Sequence, residues 1–246
     1  MLGFTLNDLL CAVAVYAYVG IVIFVVEKLW RGDQAVGRKI LHVSMGGIVF
    51  LLWLLDDRLT AFLIPASFVL FSLLITQRMQ LSFLSALSLA GKRTLLRKVN
   101  RKIMAKLSLV SASDAGNEFG LVYYCLAYTA LAVLFYRTPV VVAAGMLPLA
   151  FGDGMGAVIG RKFGAHPYQI TDRKSVEGSL AVLAATVVAV FAGLAFYGLP
   201  APEAAWKAAA IGLVAMAVEA LAPRGLDNLG IPIACTLTFL ALEAAF

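Results

Sequence analysis

Charged residues are scarce in this chain, and their scarcity bounds the class of protein. Asp, Glu, Lys and Arg together make up 14% of the 246 residues, whereas hydrophobic residues make up 62%. Soluble domains are on average about one quarter charged and about half apolar, so an ordinary soluble domain is excluded. The mean hydropathy of +0.92 agrees. The composition therefore indicates a polytopic membrane protein.

Cysteine and histidine are also rare, with three and two residues respectively. Cys11, Cys125 and Cys235 all lie inside apolar runs, without the spacing of metal ligands or of a disulfide framework. The sequence has no Walker-type phosphate loop, no Gly-x-Ser-x-Gly nucleophile and no zinc-binding spacing. These absences exclude several common classes of nucleotide-binding, hydrolase and zinc site.

Eight apolar runs are long enough, at roughly 20 residues each, to cross the hydrocarbon core as helices. Runs of this length do not fit an outer-membrane barrel. No basic region precedes the first run, so we expect a retained span rather than a cleaved signal peptide. The predicted spans lie near 8–27, 40–56, 59–77, 119–136, 139–157, 176–198, 205–222 and 228–245. We predict a single transmembrane domain over 1–246, an all-α polytopic integral membrane helical bundle.

The distribution of Lys and Arg predicts the orientation of this bundle. With the N-terminus outside, only Arg58, Arg137 and Lys207 of the 20 basic residues fall on the outer side. We therefore expect both termini outside and the basic connections in the cytoplasm, as in a cell inner membrane or its equivalent. The net charge of +6 then reflects retention at an anionic lipid leaflet, and no nucleic-acid partner is expected.

The long connection at 78–118 carries a basic amphipathic pattern. Leu96, Val99, Ile103 and Leu107 recur at helical spacing, and Lys and Arg fill many of the positions around them. The pattern predicts one amphipathic helix on the surface of the anionic leaflet. Contact with an anionic substrate is the alternative interpretation.

Unusual polar residues and glycines collect at the predicted inner ends of the spans. Charge at such a place is costly unless it is used, so it predicts a functional site. The candidates are Arg38, Lys39 and His42 in the second span; Gly152, Asp153, Gly154, Gly156, Gly160, Arg161 and Lys162 around the end of the fifth; Lys174 and Glu177 before and in the sixth; Glu219 in the seventh; and Asp227 and Asn228 at the eighth.

An acid among bases is what phosphoryl chemistry needs, since a carboxylate holds magnesium and cations bind phosphate oxygens. Asp153 is a candidate to bind magnesium or to accept the proton of an attacking hydroxyl. The candidates for nucleotide phosphates are Arg38, Lys39 and Lys174. Further candidates for magnesium, directly or through water, are Glu177, Glu219 and Asp227.

Simpler interpretations stand beside these roles. Glu219 could pair only with Arg224, His42 could be a hydrogen-bonded interior residue, and Arg38 and Lys39 could act only as topology signals. The glycines that recur every four residues over 152–160 form a flat strip for close helix packing. That strip could serve a contact within the chain or the interface of a homodimer, and it could also let phosphates approach the backbone.

Three blocks of the sequence resemble the CTP-dependent lipid kinase family, which includes phytol, farnesol and dolichol kinases and the yeast-type diacylglycerol kinase. The first is Arg38-Lys-Ile-Leu-His-Val-Ser-Met-Gly-Gly47. The second is Phe151-Gly-Asp-Gly through Gly164, with Lys174-Ser-Val-Glu-Gly-Ser179. The third is Glu219 followed by Gly225-Leu-Asp-Asn-Leu-Gly-Ile-Pro232. The blocks span most of the chain in the expected order.

The resemblance implies transfer of the γ-phosphate of CTP, or of another nucleoside triphosphate, to the hydroxyl of a membrane-dissolved lipid alcohol such as phytol, farnesol, geranylgeraniol or dolichol. It implies magnesium as cofactor, with catalytic roles for Asp153, Lys174 and Glu177. It also implies nucleotide, metal or catalytic roles for the remaining polar residues of the blocks, namely Arg38, Lys39, His42, Asp227 and Asn228.

Three other functions remain as alternatives. Diacylglycerol could replace the isoprenoid alcohol as acceptor in the same chemistry. A CDP-lipid-forming cytidylyltransferase would also be polytopic, but the chain lacks the closing signature of such enzymes, Lys-Asp with a Pro-Gly-His-Gly-Gly segment. A non-enzymatic transporter would place its binding groups near the bilayer midplane, whereas here they gather at one interface.

Overall fold

A computed structural model of the chain describes residues 4–76, 119–223 and 225–245, without the side chain of Gln34. The predicted basic amphipathic helix at 78–118 and Arg224, the suggested partner of Glu219, lie outside the described residues.

Helices dominate the described ranges, with one short antiparallel hairpin as the exception. The α-helices are α1 Leu6–Leu29, α2 Gln34–Met45, α3 Arg58–Ile75, α4 Gly120–Phe135, α5 Pro139–Leu147, α6 Gly154–Phe163, α7 Val176–Phe196, α8 Ala201–Leu221 and α9 Asp227–Ala245. A 3₁₀-helix, Gly46–Leu54, continues α2, and a π-helix, Pro148–Asp153, joins α5 to α6. The hairpin pairs β1 Pro167–Gln169 with β2 Arg173–Ser175.

Seven helical units among the described residues are long and apolar enough to cross a membrane. They are Leu6–Leu29, Ala35–Leu54, Arg58–Ile75, Pro139–Phe163, Val176–Phe196, Ala201–Leu221 and Asp227–Ala245. The remaining predicted span, 119–136, forms α4, whose 16 residues rise about 24 Å. The all-α polytopic membrane bundle is thus confirmed, although α4 is shorter than the roughly 20 residues of a full span.

Side-chain caps fix where several helices begin. Thr5 caps α1 by accepting a hydrogen bond from the backbone N–H of Asp8, and the Asp8 carboxylate reaches back to Thr5. The Asp57 carboxylate caps α3. Ser175 caps α7 by accepting from the N–H of Gly178 at 3.1 Å. Because Ser175 also ends β2, Lys174 stands immediately before the residue that caps α7.

The glycine strip packs inside the chain, on α7. A Cβ at Gly152 would collide with Thr186, and one at Gly156 would collide with Val182 and lie 3.1 Å from the carbonyl oxygen of Gly178. Gly160 faces Gly178 as well, since its added Cβ would lie 3.3 Å from that Cα. The π-helix and α6 therefore pack against α7 with their backbones in close contact. The strip serves a contact within the chain.

The fifth span is interrupted by Pro148, which begins the π-helix. Proline has no N–H to donate and disturbs the preceding turn, and here the wider π-turns begin at the proline. The six-residue π-helix ends at Asp153, the acid predicted to be central to the site. Single π-turns within helices are frequent at functional sites.

Candidate active site

A cavity of about 510 Å³ lies where α2, α7 and α9 begin and where α6 and α8 end. Its volume is in the range of about 300–1,000 Å³ that is typical of small-molecule sites. Its charged lining residues are Lys39, Asp153, Arg161, Asp172, Arg173, Lys174, Glu219 and Asp227. The structure thus brings together residues that are widely separated in sequence, at one end of the bundle.

Asp153 is the most buried acid of the cavity, with 6% of its surface exposed. Lys39 on α2 donates a hydrogen bond to its Oδ2 at 2.8 Å. The Nε2 atom of His42 lies 3.6 Å from the same oxygen and 3.0 Å from the carbonyl oxygen of Leu149. The carboxylate is therefore oriented by two side chains from α2, one turn apart.

A second lysine–acid pair lies across the cavity. The ammonium group of Lys174 on β2 donates to the carboxylate and to the backbone carbonyl of Glu219, at the end of α8. The side chains are mostly buried, with exposed fractions of 16% and 13%. Two cations thus face two carboxylates within one cavity, and the four residues come from four different elements.

Two acceptor oxygens in the cavity wall lack hydrogen-bond partners among the described residues. They are Oε2 of Glu219 and Oδ1 of Asn228, both inaccessible to solvent. Buried acceptors without partners are uncommon and need an explanation. Asp227 lies beside them at the first turn of α9. Together these oxygens present hydrogen-bond acceptors to a donor or a cation that enters the cavity.

Glycines and their backbone form one wall of the same cavity. Gly156, Gly160 and Gly164 come from α6 and its end, and Gly178 comes from the first turn of α7. An anion can approach peptide N–H groups closely where no Cβ intervenes, and the first turn of a helix favours negative charge. The glycine strip thus packs two helices and also lines the cavity.

Several predicted site residues do not line the cavity. Glu177 accepts hydrogen bonds from the backbone N–H and the Nδ1 of His166, the latter at 2.6 Å. It braces the segment that enters the hairpin. Lys162 lies over the ring of Phe163, 5.2 Å from its centroid. The others outside the lining are Arg38, His42, Gly152 and Gly154, of which His42 contacts Asp153.

The hairpin supplies lining residues that sequence analysis missed. Asp172 and Arg173 line the cavity beside Lys174. The hydroxyl of Thr171 donates to the carbonyl oxygen of Leu221 at 3.2 Å, which fixes the turn against the end of α8. Tyr168, opposite Lys174 in the hairpin, shares a 2.6 Å hydrogen bond with Ser179. The mostly polar run from Gln169 to Ser175 was the feature of the sequence that could have indicated these lining residues.

An ion pair between Asp33, in the connection from α1 to α2, and Arg161, in the last turn of α6, joins that connection to this end of the bundle. Asp33 caps α2 by accepting from the N–H of Ala35 at 2.8 Å, and Arg161 donates to its other oxygen at 3.2 Å. The Ala35 hydrogen bond, followed by Arg161, lowers the pKa of the Asp33 carboxyl. Both side chains are more than half exposed, so this pair adds little stability.

Curated relatives match most of the chain. A phytol kinase from Synechocystis is 26% identical over 227 residues, covering 89% of this chain and 86% of the relative. Phytol kinase 1 from Arabidopsis thaliana is 26% identical over 246 residues, covering 94% of this chain and 75% of the relative. A farnesol kinase from the same plant is 26% identical over 204 residues, covering 78% and 60%.

No family model matches the chain, and no solved structure matches it.

Proposed function

Because this chain belongs to the polyprenol and lipid kinase family, as its phytol and farnesol kinase relatives indicate, we propose that it phosphorylates a membrane-dissolved isoprenoid alcohol. The proposed donor is CTP, with another nucleoside triphosphate as the alternative. The observation that carries the proposal is the cavity in which Lys39 and Lys174 face Asp153 and Glu219 at one end of an apolar bundle. Phosphate-binding cations and carboxylates are the groups that phosphoryl transfer requires.

The proposed reaction is an in-line transfer. The alcohol oxygen attacks the γ-phosphorus, an O–P bond forms, and the bond from that phosphorus to the bridging oxygen breaks. The nucleoside diphosphate leaves, and the hydroxyl proton passes to the Asp153 carboxylate. Positioning and neutralisation of charge supply most of the barrier reduction in such transfers.

The two lysine–acid pairs suggest how the cavity receives a triphosphate. Each ammonium group pairs with a carboxylate, so a phosphate that enters competes for it with a stronger negative charge. Binding would draw Lys39 and Lys174 onto phosphate oxygens. The carboxylates of Asp153 and Glu219 would then become available to a cation or to the acceptor hydroxyl.

Magnesium fits the donor set of the cavity. Mg²⁺ in phosphoryl-transfer sites is usually held by one or two carboxylates together with substrate phosphates and water. No group of three or more His, Cys, Asp or Glu side chains forms a ready metal site in the described ranges, so the protein would supply only part of the coordination. One or two of the carboxylates of Asp153, Glu219 and Asp227 would hold the ion, which would neutralise charge on the phosphates.

We also propose that the cavity faces the cytoplasm, where nucleotides and magnesium are supplied. The positive-inside asymmetry supports this orientation, with Arg58, Arg137 and Lys207 at the opposite end of the bundle. A single cysteine at Arg31 should react with membrane-impermeant thiol reagents only after the cytoplasmic side is opened, in a background without native cysteines. A cysteine at Arg137 should react without opening. The reverse pattern would overturn the orientation.

The deciding experiment uses purified protein in detergent with magnesium and γ-labelled CTP or ATP. The acceptor panel contains phytol, farnesol, geranylgeraniol, dolichol and diacylglycerol. We expect label in an isoprenoid alcohol, with Asp153→Asn as the inactive reference. Label only in diacylglycerol would reassign the acceptor. Pyrophosphate release with CDP-lipid formation would point to cytidylyl transfer, and a complete lack of lipid product would reject kinase activity.

A further inference from the structure

Tyr124 is a buried tyrosine next to the candidate active site that none of the proposed roles uses. It lies on α4 with 4% of its surface exposed. Its hydroxyl is inaccessible to solvent and has no hydrogen-bond partner among the described residues. A buried phenol usually has a hydrogen-bond partner, so this hydroxyl can still donate to, or accept from, a polar group of a ligand.

His42 connects Tyr124 to the reacting end of the site. The two rings meet edge to face, with centroids 4.6 Å apart and an interplanar angle of 64°. The Nε2 atom of the same histidine lies 3.6 Å from Oδ2 of Asp153. The sequence of contacts therefore runs from Tyr124 through His42 to the proposed base.

These contacts lie on the membrane-interior side of Asp153. His42 is three residues further along α2 than Lys39, which corresponds to about 4.5 Å of helix rise. It bonds to Leu149, which precedes Asp153 by about one turn of the fifth span. Lys39 lines the cavity, whereas His42 and Tyr124 do not. Asp153 is thus contacted by Lys39 from the cavity and by His42 from the bundle interior.

Helix α4 also carries leucines that are turned towards the surroundings of the bundle. Leu121, Leu126 and Leu134 are 39%, 41% and 62% exposed, and in a membrane such residues contact lipid. One helix therefore presents leucines to the bilayer and a buried, unpartnered phenol beside His42. An acceptor with an apolar tail and one hydroxyl has both kinds of surface.

We propose that the hydroxyl of the lipid alcohol binds at the phenol of Tyr124, next to His42 and on the membrane-interior side of Asp153, with the phenol as its hydrogen-bond partner. This inference rests on the proposed function, because it assigns the acceptor subsite of the same reaction. The alcohol arrives from the bilayer and the nucleotide from the cavity. The two substrates then meet at Asp153 from opposite sides without sharing an entrance.

Tyr124→Phe tests the subsite because it removes only the hydroxyl. We expect the KM for the alcohol to rise about tenfold, the order of one lost hydrogen bond, with the KM for the nucleotide unchanged. Tyr128→Phe is the matched control, since that hydroxyl already donates to the carbonyl oxygen of Met45 at 3.4 Å, one turn along α4. It should leave both KM values near those of the wild type.

A binding measurement separates this subsite from a structural role. Without nucleotide, a short-chain isoprenoid alcohol should raise the thermal unfolding temperature of the wild type and of Tyr128→Phe, and should raise that of Tyr124→Phe far less. The unfolding temperature of unliganded Tyr124→Phe should be unchanged or higher, because the lost hydroxyl had no partner.

Two results would overturn the subsite while leaving the kinase function intact. One is a wild-type enzyme that phosphorylates the alcohol with Tyr124→Phe kinetically identical to it. The other is a Tyr124→Phe enzyme whose nucleotide KM rises while its alcohol KM stays constant. Failure of the wild type itself to phosphorylate any lipid would instead reject the proposed function.

Discussion

Helix α8 carries a buried ion cluster near each end, and the two clusters differ in whether a buried oxygen is left without a hydrogen-bond partner. Near its C-terminal end, Glu219 pairs with Lys174 and keeps one oxygen without a partner beside the cavity. Twelve residues earlier, or about 18 Å along the helix, Lys207 pairs with Glu203 of α8 and Glu243 of α9. Lys207 is 2% exposed.

The Lys207 cluster is saturated by the protein itself. Its ammonium group donates to two carboxylates and lies 5.6 Å from the ring centroids of both Trp206 and Phe239. Those glutamates are about 40% exposed and reach water. The Glu219 cluster adjoins a cavity and keeps an unsatisfied acceptor. Buried charge alone therefore does not identify a site, whereas unsatisfied buried groups around a cavity do.

Asp153→Asn should have the largest effect on activity. The substitution conserves shape but removes the negative charge that Lys39 and His42 contact. Turnover should fall by about 10²–10⁴-fold, the range of a lost acid–base group, which lipid phosphorylation with labelled nucleotide measures. Asp56→Asn, at the opposite end of the bundle and exposed, is the control. A fully active Asp153→Asn enzyme would remove Asp153 from the mechanism.

Lys174→Met should raise the KM for the nucleotide or lower kcat by roughly ten- to a hundredfold, because a phosphate-binding cation is lost from a partly buried site. It should also lower the unfolding temperature, since the Glu219 carboxylate is left without its cation. The double variant Lys174→Met with Glu219→Gln should recover stability but not activity. Recovery of activity together with stability would show that Lys174 acts only in folding.

Lys207→Met should produce the converse result. Removing this cation leaves two glutamates facing each other without a counter-charge, so we expect a loss of about 1–3 kcal/mol in stability, less than the 3–5 kcal/mol of a fully buried pair. The kcat and KM of the folded protein should stay at wild-type values. Thermal unfolding in detergent and lipid phosphorylation measure the two quantities, and a KM change for the nucleotide would contradict the separation of the clusters.

Gly156→Ala should have a smaller, mixed effect. The added methyl group would collide with Val182 and lie 3.1 Å from the carbonyl oxygen of Gly178, so α6 must move away from α7. We expect an unfolding temperature lower by several degrees and activity lower by several-fold. Gly20→Ala is the matched control, because a Cβ there meets nothing within 4 Å, and alanine favours helix by about 1 kcal/mol. Equal stability of both variants would refute close packing at the strip.

Hydrophobic run length predicted the helical bundle well, because a span in hydrocarbon must satisfy its backbone internally as a helix. All eight predicted spans coincide with helical segments, although α4 is short. The pairing of Lys39 with Asp153 and of Lys174 with Glu219 depends on tertiary packing, which periodicity does not encode. The sequence predicted only that these residues share one end of the bundle.

Glu177 and Lys207 have contacts that the sequence did not predict. Glu177 belongs to the block that resembles the kinase family, yet its carboxylate is turned to His166, a residue in an exposed loop that carries no periodic signal. Its proposed catalytic and metal roles stay predictions. The distribution of bases assigns Lys207 only to the outer side of the membrane. Its pairing with Glu243, 36 residues later in the chain, comes from tertiary packing.

The π-helix at Pro148–Asp153 sets where the fifth span can accept a change in its length. A π-turn closes its hydrogen bond over one more residue than an α-turn, so this segment holds a residue in excess of a regular helix, and deleting one residue here should leave the facing of α6 on α7 nearly unchanged. A deletion near the start of α6, where each residue turns the helix by about 100°, should instead turn the glycine strip away from α7 and Arg161 away from Asp33.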